Sequence, residues 1–313
     1  MAQVACLGIL VADLMCRPVD EYPGPGELVL VDEMSLHTGG CAANTGVGLV
    51  KIGIDTAVLG KVGNDGMGDF VRTKLAATGI DTRGIAVDPV VNTSGTSVAV
   101  MSDGERSFIH YVGANATYKV SDVRWDIIEG AKILHVAGHF LMPGFDGEPC
   151  AQVMKEAKSR GLVTTLDTAG APQPGWGELV TPVLPHVDYA LPSENEARVI
   201  TGQTDVSKIA DWFLERGVKV VGLKRGSLGS YLKSAQGQEY SKPIFKVDAI
   251  DTTGSGDAFV AGFLTGLVMG WSLEKTLTFG NATGALCATA VGATAGVKSL
   301  AQTQAFLATA QTV

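Results

Sequence analysis

The feature that most constrains this sequence is an alternation between short apolar runs and longer amphipathic stretches. The apolar runs have the length of buried strands, and the stretches between them, such as residues 66–78 and 149–160, have the pattern of surface helices. The runs are VACLGIL, TAVLGKVG, KILHVAG, LVTTLD, VDYAL and KVVGLK. Alternating strands and helices predict an α/β fold, a three-layer αβα sandwich around a mainly parallel sheet.

Two segments interrupt this alternation. Residues 12–37 contain the turn sequence PGPGE, and residues 95–112 alternate around an Asp-Gly turn, a pattern typical of a β-hairpin. Both fall where a small sheet can lie over the carboxyl ends of the strands, the edge at which open α/β folds bind ligands. We predict that these two segments form a small β lid. The remaining residues form a single α/β domain: 1–11, 38–94 and 113–313.

Charge and hydropathy exclude several classes of protein. The formal net charge of −8 argues against binding to nucleic acid or a membrane surface, because an acidic field does not attract either. The longest apolar stretch, residues 258–271, contains three glycines and is too short to span a bilayer. The N-terminal residues lack a basic leader and reach Asp13 early, so we expect a first strand and no signal peptide. The five cysteines form no C-x-x-C pair, and a reducing, cytoplasmic location fits them best.

The segment DTTGSGD at residues 251–257 places a glycine-rich turn directly before a long apolar helix. Gly254 and Gly256 let backbone N–H groups converge, and the helix N-terminus adds partial positive charge, so this segment predicts an anion site. Asp257, taken alone, is better explained as a helix cap. Beside an anion-binding turn, its carboxylate is also suited to accept a hydroxyl proton during phosphoryl transfer.

Two motifs together resemble the signatures of the PfkB (ribokinase-like) carbohydrate kinases. DTTGSGDAF looks like the C-terminal signature, and GGCAAN at residues 39–44 looks like the N-terminal Gly-Gly-x-x-x-Asn signature. The resemblance covers nearly the whole chain. It implies a ribokinase-like fold and a nucleotide-binding kinase that transfers the γ-phosphate of ATP, with Mg²⁺, to a hydroxyl of a sugar or sugar-like molecule.

The resemblance also implies roles for individual residues. Asp257 matches the catalytic base, and the backbone just before it matches the anion hole, formed by Gly254, Ser255 and Gly256. The positions that hold the acceptor's hydroxyls are Asp13, Gly39, Gly40 and Asn44. Taken singly, a solvent-facing aspartate, a glycine turn and a capping asparagine explain these four residues as well.

A second loop matches the nucleotide-binding loop of such kinases. KRGSLG follows the strand-like KVVGL, and a glycine there lets the backbone approach ATP. A solvated loop is the alternative for the two cations, Lys224 and Arg225. Asn281 matches a position near the adenine, and a core or capping amide is the alternative for it. The nucleotide-binding residues implied are Lys224, Arg225, Gly226, Gly229 and Asn281.

Metal binding is implied at two places. LPSENEARVITG resembles an Asn-x-x-Glu motif that organises Mg²⁺ through water, with Glu196 at the glutamate position and Ser193 where asparagine is usual, so we expect altered metal handling. Helix capping is the alternative for Ser193. Many relatives also bind a monovalent cation such as K⁺ behind the anion hole, and Gly296 stands where some carry a serine ligand. The matching positions are Asp251, Thr253, Cys287, Ala290 and Gly292.

Competing functions and acceptors remain open. The sequence has no G-x-x-x-x-G-K-[ST] and no G-x-G-x-x-G after the first strand, which argues against a P-loop NTPase and a Rossmann dehydrogenase. A non-catalytic sugar-binding or regulatory protein of the same fold is the alternative. A hexose or pentose fits the polar acceptor positions. A phosphorylated sugar would depend on Arg106, and LDTAGAPQPGW lacks the Asn and Arg of fructokinase-like and ketodeoxygluconate kinases. A nucleoside would need an aromatic wall, with candidates Phe108, Tyr111, Phe140 and Phe145. An exposed lid edge also predicts a homodimer through the lid.

Overall fold

The structure is a computed structural model that describes residues 2–312. The first and last residues of the predicted α/β domain, 1 and 313, lie outside the described residues. The strands are β1 (Val4–Gly8), β2 (Val11–Arg17), β3 (Glu33–Gly39), β4 (Thr56–Gly63), β5 (Asp81–Asp88), β6 (Gly95–Val100), β7 (Arg106–Tyr111), β8 (Ile133–His139), β9 (Val163–Thr168), β10 (Tyr189–Ala190), β11 (Val220–Lys224), β12 (Ser230–Ser234) and β13 (Glu239–Lys242). The α-helices are α1 (Cys41–Ile52), α2 (Gly66–Ala76), α3 (Trp125–Ile128), α4 (Glu148–Ser159), α5 (Trp176–Val180), α6 (Glu194–Thr201), α7 (Val206–Leu214), α8 (Ser255–Val268), α9 (Leu273–Cys287) and α10 (Leu300–Thr309).

Nine of the described strands form the main sheet, in the order β13-β12-β11-β10-β9-β8-β1-β4-β5. Neighbouring strands from β11 to β5 are parallel, and β12 and β13 add an antiparallel hairpin at one edge. Apolar cores lie on both faces of the sheet, under the helices. The predicted three-layer αβα sandwich with a mainly parallel sheet is confirmed.

Strand β1 shows why the apolar runs are continuous. All five of its residues are buried, because helices pack on both faces of the strand. Ala5 and Leu7 join the core on one face, together with residues of α4 such as Met154. Val4 and Cys6 join the core on the other face, together with residues of α8. A parallel strand that is covered on both faces needs apolar side chains at every position.

Helix α8 is buried along most of its length between α1 and α9. Small residues allow the close contacts: a Cβ atom added to Gly48 of α1 would lie 3.0 Å from the Cβ of Ala261, and one added to Gly262 would lie 2.5 Å from Thr283 Oγ1 of α9. The apolar character of α8 on all sides therefore reflects burial between helices. None of the helices formed by residues 2–312 has the length and apolar character that crossing a membrane requires.

The other four described strands form a small sheet in the order β3-β2-β6-β7. β2 and β6 are parallel neighbours, and β6 and β7 form the antiparallel hairpin that was expected around Asp103-Gly104. These strands lie in, or within two residues of, the two segments that interrupt the strand–helix alternation. The division of the chain into an α/β domain and a lid stays a prediction.

The register of the small sheet gives it two different faces, because strand side chains alternate. Cross-strand partners on the first face are Asp13, His37, Thr96 and His110. Cross-strand partners on the opposite face are Leu14, Leu36, Ser97 and Ile109. Arg106 lies on the first face and reaches the main domain, where its Nη2 is 2.8 Å from Asp251 Oδ1. The first face is therefore turned toward the main domain.

Candidate active site

The two sequence motifs meet at the N-termini of α1 and α8. Asn44 of α1 donates a hydrogen bond of 2.8 Å from Nδ2 to Oδ2 of Asp257 in the first turn of α8, although the two residues are 213 positions apart. Thr45 Oγ1 donates to the backbone carbonyl of Asp257 at 3.4 Å. The asparagine of the first motif thus orients the carboxylate of the second.

The carboxylate of Asp257 does not cap its own helix. Helix α8 begins after Gly254 and has no side-chain hydrogen bond to its first N–H groups. The Ser255 N–H donates to the Thr252 carbonyl at 3.1 Å, whereas no acceptor within residues 2–312 engages the N–H groups of Gly256 and Asp257. These two N–H groups remain available, as an anion site requires. The helix-cap interpretation therefore does not account for Asp257, whereas a carboxylate held beside an open helix N-terminus agrees with a role next to a bound anion.

Glycines shape the turn before α8. Gly254 has a φ of +73°, and a Cβ atom there would lie 2.2 Å from the carbonyl oxygen of Ala293, so only glycine fits without strain. A Cβ atom on Gly256 would lie 3.7 Å from Lys224 Nζ. Ser255 is the first residue of α8. The turn therefore brings backbone donors and one ammonium group to the same place, which suits a phosphate group.

Lys224 forms a buried ion pair with Asp167. The lysine ends β11 and the aspartate lies in β9, and Lys224 Nζ is 2.6 Å from Asp167 Oδ1 and 2.7 Å from Oδ2. The Asp167 side chain is 2% exposed. Sequence reasoning did not assign Asp167 to the site, although LVTTLD places it near the carboxyl end of an apolar run, where parallel strands open onto the ligand-binding edge of a sheet.

The site gathers three carboxylates around one ammonium group. Burial raises the pKa of Asp257, while the Asn44 amide and the Lys224 ammonium oppose this rise. Burial also raises the pKa of Asp167, to about 7, although Lys224 opposes the rise. Burial lowers the pKa of Lys224, but the carboxylates of Asp167, Glu196 and Asp257 outweigh this effect and raise it. Lys224 therefore stays charged, and Asp257 is a stronger base than an exposed aspartate.

Glu196 and Ser193 form a capping box at the start of α6. Ser193 donates to Glu196 Oε2 from its Oγ at 2.6 Å and from its backbone N–H at 2.9 Å, and Thr168 Oγ1 donates to the same oxygen at 2.9 Å. The helix-capping alternative for Ser193 thus describes its contacts. Within residues 2–312, no group of three or more His, Cys, Asp or Glu side chains is arranged to hold a metal ion.

Three of the four predicted acceptor positions lie close together, with Asp13 in β2, Gly39 at the end of β3 and Gly40 just before α1. A Cβ atom added to Gly39 would lie 1.9 Å from Asp13 Oδ2, so the carboxylate rests directly on the glycine backbone. Gly40 has a φ of +94° and precedes α1, where a Cβ atom would lie 2.3 Å from the carbonyl oxygen of Ile9. Burial raises the pKa of Asp13, against the effects of Thr96 and two histidines.

Those two histidines were not anticipated from the sequence. Thr96 Oγ1 is 3.1 Å from His110 Nδ1, and Ser35 Oγ is 2.8 Å from His37 Nε2. His37 and His110 are exposed on the face of the small sheet that carries Asp13. The alternation of β3 and β7 was the only available signal, and it does not reveal which strand lies beside which.

The predicted nucleotide loop lies after β11, and its cations are paired. Arg225 Nε donates to Glu194 Oε2 at 2.7 Å. Gly226 has a φ of +55° and no atoms within 4 Å of an added Cβ, so the backbone there is open to a ligand. An added Cβ at Gly229 would lie 2.1 Å from the Lys242 carbonyl. Asn281 is 6% exposed, and its Nδ2 donates to the carbonyl of Lys242, the last residue of β13, at 3.4 Å and to that of Pro243 at 3.1 Å.

Two side chains at the positions matched to a monovalent cation site, those of Asp251 and Cys287, are engaged by other groups of the protein. Asp251 Oδ1 lies 2.8 Å from Arg106 Nη2 and accepts the Thr253 N–H at 2.7 Å, and its Oδ2 accepts the Gly292 N–H at 2.8 Å. Cys287 Sγ donates to the carbonyl oxygens of Thr253 and Ala293. Ala290 lies in the loop after α9. This donor set does not fit a bound K⁺, because its carboxylate already carries a counter-charge.

Comparison with known proteins identifies the family. The sequence profile of the pfkB family carbohydrate kinases matches residues 1–300. The chain belongs to the PfkB family of carbohydrate kinases. Ribokinase of Staphylococcus aureus is 28% identical over 291 residues, which cover 90% of this chain and 92% of that protein. Probable fructokinase-5 of Arabidopsis thaliana is 29% identical over 302 residues, with coverage of 86% and 87%.

A solved structure of Arabidopsis thaliana ribokinase complexed with ribose and ATP superposes on this PfkB kinase with a TM-score of 0.86, at 26% identity and with 98% of each chain covered. The ribokinase-like fold and the enzyme class, a phosphotransferase with an alcohol acceptor, are thereby confirmed. The comparisons do not test the roles of individual residues, which stay predictions.

The Lys224–Asp167 pair should be important for the stability of this PfkB kinase. Lys224→Met leaves the carboxylate of Asp167 buried without its partner, so we expect the free energy of unfolding to fall by about 3–5 kcal/mol. Urea denaturation of the wild type and the variant, at a pH slightly above the pKa of Asp167, measures this loss.

Lys233→Met is the matched control for this change. Lys233 of β12 pairs with Asp211, whose side chain is 44% exposed, so its loss should cost at most about 1 kcal/mol. Equal losses in the two variants would contradict a strong buried pair at Lys224.

Proposed function

We propose that this PfkB kinase transfers the γ-phosphate of ATP to a hydroxyl of an unphosphorylated sugar or polyol, with Asp257 as the general base. The observation that carries the proposal is the Asn44–Asp257 hydrogen bond. It gives the carboxylate a partner other than the N–H groups of α8. The proposed base and the proposed anion hole therefore lie side by side, and the base does not occupy the hydrogen-bond donors of the anion hole.

The residues support a direct transfer. Asp257 accepts the proton of the acceptor hydroxyl as the acceptor oxygen forms a bond to the γ-phosphorus. The bond from that phosphorus to the bridging oxygen breaks, and its electron pair leaves with ADP. The N–H groups at Gly254–Gly256 and the ammonium of Lys224 stabilise the charge on the phosphoryl oxygens as it develops.

ATP and Mg²⁺ belong to this proposal. The open backbone at Gly226, together with Lys224 and Gly229, supports an ATP site after β11, whereas Arg225 and Asn281 contribute by positioning the loop and β13. Mg²⁺ would neutralise charge on the phosphate oxygens, with Glu196 holding it through water. One carboxylate is enough for this role, because Mg²⁺ is usually held by one or two carboxylates, substrate phosphates and water.

The aromatic side chains favour a sugar over a nucleoside. Phe145 is fully buried against Tyr118, and Phe140 stacks on Trp176 with ring centroids 3.9 Å apart. Tyr111 is a cross-strand partner of Gly95, on the face of the small sheet that carries Leu14. Of the four candidates, Phe108 alone lies on the face that carries Asp13. A single aromatic ring is a weak platform for a base, whereas the polar row around Asp13 suits hydroxyl groups.

Arg106 also argues against a phosphorylated acceptor. Its Nη1 donates to Thr253 Oγ1 at 2.5 Å and its Nη2 pairs with Asp251. A guanidinium group engaged in this way is not available to bind a second phosphate. We therefore favour ribose, another free sugar or a related polyol.

The small sheet is proposed to act as a lid and as a dimer interface. The lid comprises residues 12–37 and 95–112, and the α/β domain comprises the rest. Its face that carries Leu14 also carries exposed apolar side chains, with Met34 and Ile109 each 61% exposed. Its outer strands β3 and β7 have free edges. An exposed apolar face with unpaired edges is suited to pairing with a second copy.

Replacing the base tests the reaction. Asp257→Asn should lower kcat about 10²–10⁴-fold while ATP binding persists, because the general base contributes that much to such transfers. ADP release is measured over a panel of sugars, polyols, nucleosides and sugar phosphates with Mg²⁺.

Asp205→Asn is the control, because Asp205 is a true helix cap that accepts from the N–H groups of Ser207 and Lys208. It should lose some stability and keep its rate. If a member of the panel binds to the wild type but no member is phosphorylated, the non-catalytic alternative is correct and Asp257 is not a base.

The pH profile tests the Asn44 contact. Asp257 must be ionised to accept a proton, so kcat/KM should fall as the pH drops through its pKa. The Asn44 amide lowers that pKa, and Asn44→Ala should therefore raise it and move the acidic limb to higher pH. Asn64→Ala, at an exposed position after β4, should leave the limb in place. An unmoved limb in Asn44→Ala would show that the hydrogen bond does not tune the base.

The molecular mass in solution tests the interface. Sedimentation equilibrium should give the mass of two chains, and Ile109→Asp should give that of one, because a buried unpaired charge is costly. Val90→Asp, at an 84% exposed position outside the small sheet, should remain dimeric. A monomeric wild type would rule out the dimer.

A further inference from the structure

Arg106 connects the small sheet to the phosphoryl-transfer loop. It begins β7, and its guanidinium reaches Asp251 and Thr253, the first and third residues of the DTTGSGD motif, at 2.8 Å and 2.5 Å. From the sequence alone, Arg106 was a candidate only as a ligand for a phosphorylated acceptor. Its position against Asp251 points to another role.

The ion pair neutralises a carboxylate that solvent cannot reach. The side chain of Asp251 is 1% exposed and that of Arg106 is 20% exposed. Burial opposes ionisation of Asp251, but the N–H groups of Gly292 and Thr253 and the charge of Arg106 outweigh it, and its pKa is lowered. An ionised carboxylate in this environment requires a counter-ion, and the guanidinium is within contact distance to provide it.

The surrounding carbonyl groups are also engaged by the protein. Cys287 Sγ donates to the Ala293 carbonyl at 3.2 Å and to the Thr253 carbonyl at 3.7 Å. Lys51, at the end of α1, donates from Nζ to the Thr294 carbonyl at 2.6 Å. A second protein cation therefore lies at the same loop. Gly296 offers no side-chain ligand, and a Cβ atom there would lie 2.2 Å from the Leu286 carbonyl.

We propose that Arg106 is the built-in cation of this site: it supplies the positive charge behind the anion hole, so that the protein needs no monovalent metal ion. Arg106 acts as a positioning residue, because it fixes Asp251 and Thr253 and, through them, the turn that carries Gly254. The part of this inference that concerns turnover rests on the proposed kinase reaction, whereas the part that concerns cation binding does not.

The first test measures thermal unfolding in KCl and in NaCl at equal ionic strength. Wild-type protein should have the same Tm in both salts. Arg106→Gln frees the carboxylate of Asp251, so this variant should bind K⁺ and gain a Tm several degrees higher in KCl than in NaCl, because a ligand that binds only the folded state stabilises it. Arg106→Lys keeps the charge and should again be insensitive to the salt.

The second test measures kcat/KM with the best acceptor. The wild-type value should agree within about two-fold in potassium, sodium and tetramethylammonium salts, a change of less than about 0.5 kcal/mol in transition-state binding. Arg106→Gln should lose activity in sodium and recover it at least ten-fold with K⁺ or added guanidinium. Arg72→Gln is the matched control, because Arg72 lies in α2, outside the small sheet, and pairs with Asp69 at the surface, with side chains 46% and 72% exposed; it should change neither measurement.

Two results would overturn the inference. One is a wild-type Tm or rate that rises with K⁺ specifically. The other is an Arg106→Gln variant that is impaired but responds to neither K⁺ nor guanidinium, which would make the ion pair a purely structural contact. A wild type that phosphorylates no acceptor counts against the proposed kinase reaction alone, because the thermal measurement decides the role of Arg106 without turnover.

Discussion

The close packing of α1 against α8 is the constraint on which the site depends. Gly48 allows the backbone of α1 to approach Ala261, and a bulkier residue there would hold the helices apart. Because the two helices are close, their N-termini open at the same edge of the sheet and Asn44 reaches Asp257. The chemistry at one end of α8 is thus a consequence of small side chains in its middle. This explains how so apolar a helix can carry the carboxylate proposed as the base.

Electrostatic balance is the second theme of the structure. The protein is acidic overall, yet its proposed reaction brings a highly charged anion to a place where Asp167, Glu196 and Asp257 already lie. The Lys224 ammonium offsets part of this negative charge, and Arg106 of the small sheet compensates the charge of Asp251. The N–H groups at the start of α8 add positive potential without adding a titratable group. The field at the phosphate is therefore set locally, and the net charge of the chain says little about it.

The sequence was sufficient for the fold, and its contiguous motifs were sufficient for the family. Continuous apolar runs such as that of β1 identified the parallel sheet, and the Asp-Gly turn identified the hairpin of the small sheet. Pairings between distant segments could not be foreseen. Asp167 meets Lys224 because β9 and β11 flank β10, and His110 stands beside Thr96 because of one particular register. Residue types and spacing do not specify which strands become neighbours, so contacts that depend on this order become visible only in three dimensions.

The contact between Gly39 and Asp13 bears on how such an enzyme can change during evolution. The carboxylate fills the space that any side chain at position 39 would occupy. A side chain at 39 therefore requires the Asp13 side chain to rotate away or to become smaller, whereas a change at 13 can occur while the glycine remains. Substitutions at the aspartate are therefore expected to precede substitutions at the glycine. With both residues in the proposed acceptor site, a new acceptor preference would arise first at position 13, and reversal of that one substitution would restore the original pocket while Gly39 is unchanged.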